Sequence, residues 1–304
     1  MKVLKDWKNL LNINNIIFKE NELLSKYTSW GIGGPAKVFI LPRNKKELIN
    51  TLEILRKGSI KWKVIGNGSN ILAPDEGYDG AIISLRNGFN QYSVKNTLVT
   101  AGAGFSLIHL ANIAAKHGLS GLEFAAGIPG TVGGAVSINA GAHGSDISKI
   151  LQEAEVLLEN GEVERWTVVD FKFDYRSSIL HKEKAIVIDS IFKLETGNTE
   201  KIISDMVNNK ERRIKTQPFN LPSAGSVFRN PNNDYSGRLI EELGLKGYRI
   251  GDAQISTIHS NFIVNIGNAT SKDILALINY IKEKVYEKYN IELITEVELI
   301  GDEK

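Results

Sequence analysis

The sequence predicts an α+β fold, on three observations. Strand-like and helix-like stretches alternate irregularly along its 304 residues, without the regular rhythm of a doubly wound parallel sheet. Hydrophobic residues make up 42% and charged residues 24%, the usage of a chain that buries a substantial core. No fixed-period repeat or low-complexity tract is present, which removes solenoid architectures. The length suits about two domains, or three small ones.

A first region, to about residue 80, mixes both element types. Ala36–Leu41 reads as an apolar strand. Asn44 and Glu47 form a capping-box start for a helix carrying Leu48, Leu52 and Leu55. Trp62–Ile65 reads as a strand running directly into Gly66-Asn67-Gly68-Ser69-Asn70. The middle region has strands at Ala81–Leu85 and Thr97–Ala101, then a helix from a Ser106 cap to Lys116, stopped by Gly118. After the glycine-dense stretch Gly127–Gly144 come strands near 153–158 and 185–193. The last region opens with an amphipathic helix over about 199–213, whose apolar set includes Ile202, Ile203 and Met206. Helices over Ser236–Leu243, closed by Gly244, and over Ser271–Tyr289 follow. In the second of these, Ile274, Leu277, Ile278, Ile281 and Val285 share one face. A strand over Glu292–Ile300 ends the pattern.

Composition narrows the function. A formal charge of +2 demands neither nucleic acid nor an anionic membrane as partner. The absence of cysteine excludes disulfides, thiolate metal sites, iron–sulfur clusters and a cysteine nucleophile, and fits a reducing cytoplasm. The five histidines lack metal-ligand spacing, so no metal site is expected. The charged amino terminus does not read as a secretion signal, and no apolar run is long enough to span a membrane. A cytoplasmic protein with no obligate protein partner is the expectation.

Two glycine segments stand out. In Gly66–Asn70 the glycines let backbone amides crowd against a diphosphate, or simply make a tight turn. Neither familiar nucleotide fingerprint fits. Ile71 stands where a dinucleotide-binding turn needs its third glycine, and no glycine run leads into a P-loop lysine. Gly127–Gly144 is almost uncharged and too glycine-dense to be helical throughout. It suits backbone laid along a large flat ligand, or an internal segment of tight packing.

With Tyr175-Arg176-Ser177-Ser178, Ser223–Pro231, Gly247–Ser256, His259–Asn265 and Glu296–Gly301, these segments form an ordered set over most of the chain. That set resembles the UDP-N-acetylenolpyruvoylglucosamine reductase family of peptidoglycan synthesis. The resemblance implies the FAD-binding fold of the vanillyl-alcohol-oxidase type with a C-terminal α+β substrate-binding domain. The expected division is 1–80 and 81–197 for two FAD-binding subdomains and 198–304 for the substrate domain, the last strand returning to the FAD-binding region. Noncovalent FAD is implied on Gly66, Asn67, Gly68, Ser69 and Asn70. Gly127, Ile128, Pro129, Gly130, Thr131, Gly133, Gly134, Ser137, Asn139, Ala140 and Gly141 complete that set.

The implied reaction is reduction of UDP-N-acetylglucosamine enolpyruvate by NADPH through FAD, giving UDP-N-acetylmuramate. The catalytic trio maps onto Arg176, Ser226 and Glu296. Hydride from flavin N5 goes to the terminal enolpyruvyl carbon, a guanidinium stabilises the resulting enol-like charge, and Ser226 supplies the proton. Glu296 orients the intermediate or takes part in proton movement. Tyr175, Arg213, Lys215 and Asn230 are the expected substrate contacts. On their residues alone, Arg176 reads equally as a surface ion-pair residue, Ser226 as a turn hydroxyl and Glu296 as part of a solvated strand face. Ala224 stands where many members carry cysteine. The short stretch between Arg176 and Ser226 resembles the branch without an extra substrate-covering loop. Another flavin oxidase or dehydrogenase of the same fold, acting on an alcohol or sugar, is the competing reading; a catalytically silent nucleotide-sugar binder is a third.

Overall fold

A computed structural model describes residues 7–301. The chain forms two compact units, each assembled from separated stretches. The first takes the described residues to Glu20, Val38–Asn67 and Gly80–Glu211; the second takes Asn21–Lys37, Gly68–Asp79 and the chain from Arg212. Each has its own apolar core.

The first unit is organised by a five-stranded antiparallel sheet in the order Val163–Thr167, Leu151–Leu158, Ala185–Lys193, Leu98–Gly102, Tyr92–Lys95. Val156, Ile188, Phe192, Val99 and Ala101 are buried in its strands. The helix Leu107–Lys116 joins the same core through Leu107, Leu110, Ala111 and Ala114. Its Ser106 hydroxyl accepts the His109 N–H, and Gly118, at φ +66°, ends the turn as expected. Trp62–Ile65 pairs in parallel with the strand Tyr78–Ser84, Ile65 opposite Ser84, and this pairing fixes where Gly66 begins.

The capping box at Asn44 is only half formed. Asn44 accepts from the Glu47 N–H at 3.0 Å. Glu47 bonds the Arg43 N–H at 2.8 Å, because the Arg43 guanidinium, 2.7 Å away, draws its carboxylate one residue further back. The helix expected over 199–213 runs from Thr199 to Thr216. Ile202 and Met206 enter the first core, whereas Ile203 is 48% exposed and lies off the buried stripe.

In the second unit a three-stranded antiparallel sheet, Arg249–Ile250, Ala253–Ile255 and Ile263–Asn265, packs with the helix Ser271–Tyr289. That helix buries the expected face: Ile274, Leu277, Ile278, Ile281 and Val285. Thr270 and Asp273 close a full capping box at its start. Asp75 adds a second cap, accepting from the Ser271 N–H and hydroxyl, each at 2.8 Å. Trp30 is fully buried and ties distant chain together. Its Nε1 donates to the Ile263 carbonyl at 2.8 Å, and its carbonyl accepts from Asn265 Nδ2 at 3.0 Å.

The continuous strand expected over Glu292–Ile300 is not formed; only Glu298–Leu299 is regular, parallel to Ile71–Leu72. The reason is a change of partner. Ile294 and Glu296 bond the strip 227–229 through their carbonyl and N–H, and Glu298 and Ile300 then bond Asn70 and Leu72.

Candidate functional site

In the first unit, a short 3-10 turn, Glu123–Gly127, leads into the glycine-dense segment, which forms a six-residue helix, Val132–Ser137, capped by Thr131. That helix start is already satisfied within the protein. The Val132 and Gly133 N–H groups bond the Phe105 and Ala103 carbonyls at 2.9 Å, and Gly134 N–H bonds Thr131 Oγ1 at 3.3 Å. The glycines divide by their surroundings. A Cβ on Gly133 would lie 2.7 Å from Ala103 Cβ, and one on Gly141 would lie 2.5 Å from the Ser145 carbonyl oxygen, so tight packing explains both. Around Gly130 the space is open, and Gly134 is exposed.

The same segment receives Arg176. Its guanidinium Nη2 donates to the Gly141 carbonyl, and its charge lies 5.0 Å above the Tyr175 ring. Arg176 sits in the left-handed region at φ +54°, held by reciprocal bonds between Asp174 and Ser177 on either side. Buried Asn139 locks this arrangement, donating to the Asp174 carbonyl at 3.1 Å and accepting the Ser148 N–H at 2.9 Å. Ser178 Oγ adds a bond to the Ser137 carbonyl at 2.6 Å. Residues far apart in sequence thus form one rigid corner.

In the second unit, Asn70 Nδ2 donates to the Glu296 carbonyl at 3.1 Å, and the Glu296 N–H donates to the Val227 carbonyl at 2.8 Å. Two bonds therefore join the end of the first glycine turn, Glu296 and the residue after Ser226. The strip is clamped from its other side by Asn261, which is 4% exposed. Its Oδ1 accepts the Phe228 N–H at 3.0 Å, its Nδ2 donates to the Phe228 carbonyl at 2.9 Å, and its own carbonyl takes the Val227 N–H at 2.8 Å. Ser226 is part-buried, and its hydroxyl makes no hydrogen bond among the described residues.

Asn230 is exposed, its Oδ1 accepting the Ser236 N–H at 3.2 Å. Arg213 is part-buried and bonds Gln217 at 3.1 Å, whereas Lys215 is exposed on the same helix. With no carboxylate opposite it, burial lowers the hold of Arg213 on its proton.

Residues 217–300 match the family described as the C-terminal domain of UDP-N-acetylenolpyruvoylglucosamine reductase, and residues 36–167 match the family described as an FAD binding domain. The UDP-N-acetylenolpyruvoylglucosamine reductase of Anoxybacillus flavithermus is 50% identical over 293 residues, which is 96% of this chain and 97% of that protein. The chain belongs to the UDP-N-acetylenolpyruvoylglucosamine reductase family. The crystal structure of the family member from Thermus caldophilus agrees with a TM-score of 0.81 at 38% identity, covering 93% of this chain and 99% of that one. Berberine bridge enzyme, at 18% identity and a TM-score of 0.50, shares the fold alone. The reductase fold is thus the α+β, vanillyl-alcohol-oxidase type, and this member is an FAD-dependent oxidoreductase.

The residues of this reductase suit a flavin dinucleotide. The N–H groups of Asn67, Gly68, Ser69 and Asn70 find no acceptor among the described residues. Gly68 is at φ +62°, and a Cβ there would lie 1.9 Å from the Tyr27 carbonyl oxygen. Such a run of free donors is a ready cradle for phosphate oxygens. Asn67 Nδ2 donates to the Pro129 carbonyl at 3.0 Å, tying the start of this turn to the second glycine segment within the first unit. Among the described residues no cluster of three or more histidines or carboxylates could hold a metal, and no helix is long and apolar enough to cross a membrane.

Sequence reasoning did not single out Asn261, Asp174 or Tyr27. Asn261 lies within the stretch His259–Asn265, but nothing in its identity marks a clamp. Tyr27 acts through its backbone, which leaves no signal in side-chain chemistry.

Proposed function

We propose that this chain reduces UDP-N-acetylglucosamine enolpyruvate to UDP-N-acetylmuramate with NADPH, in the cytoplasm. The observation that carries the reading is the Asn70–Glu296–Val227 hydrogen-bond chain, which sets Glu296 beside the strip that bears Ser226. Residues 1–80 and 81–197 serve as FAD-binding subdomains and 198–304 as the substrate domain.

FAD is held noncovalently by Gly66–Asn70 and Gly127–Gly141, and when bound it supplies hydride to the terminal carbon of the enolpyruvyl double bond. The electron pair displaced from that double bond flows toward the adjoining carboxylate. Arg176 stabilises it with a planar, permanently charged guanidinium, stiffened by the Gly141 carbonyl and the Tyr175 ring. Ser226 Oγ–H gives its proton to the neighbouring carbon, which completes the saturated product. No competing protein bond holds that hydroxyl among the described residues, so it is available to the substrate. Glu296 orients the substrate or helps return a proton to Ser226 Oγ. Tyr175, Arg213, Lys215 and Asn230 contact the sugar nucleotide.

Stopped-flow absorbance of Ser226→Ala tests this reading. Reduction by NADPH should proceed at the wild-type rate, while reoxidation by the enolpyruvyl substrate slows by at least about 10²–10⁴-fold, the usual contribution of a general acid. Equal slowing of both phases would assign the damage to flavin binding or folding and remove Ser226 as the proton donor.

A further inference from the structure

The arginines divide by what they do with their charge. Arg43, Arg165, Arg238 and Arg249 pair with carboxylates. Arg56, Arg86 and Arg212 are exposed to solvent. Arg176 is held against the Gly141 carbonyl. Arg213 and Arg229, both part-buried and both in the second unit, have no carboxylate partner among the described residues.

Arg229 is the sharper case. Its Nε is shut away from solvent and donates to nothing among the described residues. Its backbone is fixed on both sides, the N–H on the Ile294 carbonyl at 2.9 Å and the carbonyl under Ser236 Oγ at 2.6 Å. The preceding Phe228 is gripped by Asn261. The side chain therefore starts from an immobile point three residues after Ser226. Native chains keep few buried unsatisfied donors without a use for them.

We propose that Arg229 is a phosphate-binding residue, its guanidinium taking a phosphate oxyanion of the bound nucleotide in a two-pronged grip. This rests on the reading above that the chain binds a uridine diphosphate sugar and NADPH. A permanently charged guanidinium with no carboxylate opposite it suits a phosphate oxyanion, which it can meet with two parallel N–H groups. Two sources carry that chemistry: the diphosphate of the sugar nucleotide and the phosphomonoester on the adenosine ribose of NADPH.

Calorimetric titration of the FAD-loaded enzyme with UDP, and separately with adenosine 2′,5′-bisphosphate, tests the proposal and separates the sources. Arg229→Gln should weaken one of the two probes by about ten- to a hundredfold, the loss expected for a charge-assisted pair. The probe that weakens names the source. Arg229→Lys should recover only part, since an ammonium cannot fork. The ligand-free Arg229→Gln protein should melt no lower than wild type, because the lost donor had no partner. If wild type binds a probe and Arg229→Gln binds both within about threefold of it, the proposal falls while the nucleotide reading stands. A lowered melting temperature with unchanged affinities assigns Arg229 to the fold and overturns the proposal. Should wild type bind neither probe, the nucleotide reading falls with it.

Discussion

Asn261→Ala is the most direct probe of how the serine strip is held. The side chain satisfies both the N–H and the carbonyl of Phe228, at 3.0 and 2.9 Å, and Phe228 is 1% exposed. Truncation leaves two buried backbone groups unpaired at about 1–3 kcal/mol each, so destabilisation of about 2–6 kcal/mol is expected. Asn261→Asp should be no better, because a carboxylate oxygen would then face the Phe228 carbonyl. Of the four tryptophans, Trp30 alone lies in the second unit, where it is fully buried. Urea unfolding followed by Trp30 fluorescence, with the other three replaced by phenylalanine in both proteins, reads that unit selectively. A change under about 0.5 kcal/mol would refute the idea that these two bonds hold the strip.

Two further outcomes follow from local geometry. Gly68→Ala places a methyl group 1.9 Å from the Tyr27 carbonyl oxygen at a φ of +62°. A loss of at least about 2 kcal/mol is expected, together with weaker FAD retention on gel filtration, and a variant as stable as wild type would contradict the close approach. Burial, reinforced by the Lys246 charge, holds the His259 imidazole below its usual range despite the opposing Glu241. Its Nδ1 accepts the Asn261 N–H at 3.3 Å, which requires an unprotonated nitrogen. The unfolded chain therefore takes up the proton more readily, and stability present above about pH 6.5 should be lost as the pH falls below it. His259→Asn should flatten that dependence in urea midpoints between about pH 7 and 5; parallel slopes would clear His259 as the cause.

Much of this was legible in the residues, and the gaps have physical causes. The helix Ser271–Tyr289 matched its expected limits because a capping threonine, a 3.6-residue apolar stripe and Asn290 at φ +54° agree with one another. The hairpin strand Val163–Thr167 went unassigned although Asn160-Gly161 between apolar stretches signals such a turn; its mostly exposed residues hide the pattern. Glu292–Ile300 alternates like a strand, yet alternation cannot register a change of partner midway. At the glycine-dense segment both readings hold at different residues, Gly133 and Gly141 for packing and Gly130 for open space. One sequence signal covers both, since each needs only a missing side chain.

The second unit also constrains the order in which this protein matures. Ile71–Leu72 has its strand partner in Glu298–Leu299, Asp75 caps a helix that begins at Ser271, and Trp30 bonds Ile263 and Asn265. Each early stretch must wait for residues about 200 positions later, so contacts of long sequence separation dominate and folding should be slow. Until Glu296 and Glu298 emerge from the ribosome, the strip bearing Ser226 and the turn ending at Asn70 both lack their partners. Until those partners appear the growing chain would expose the apolar faces of Leu72, Trp30 and Ile32, which makes it a natural client for chaperones.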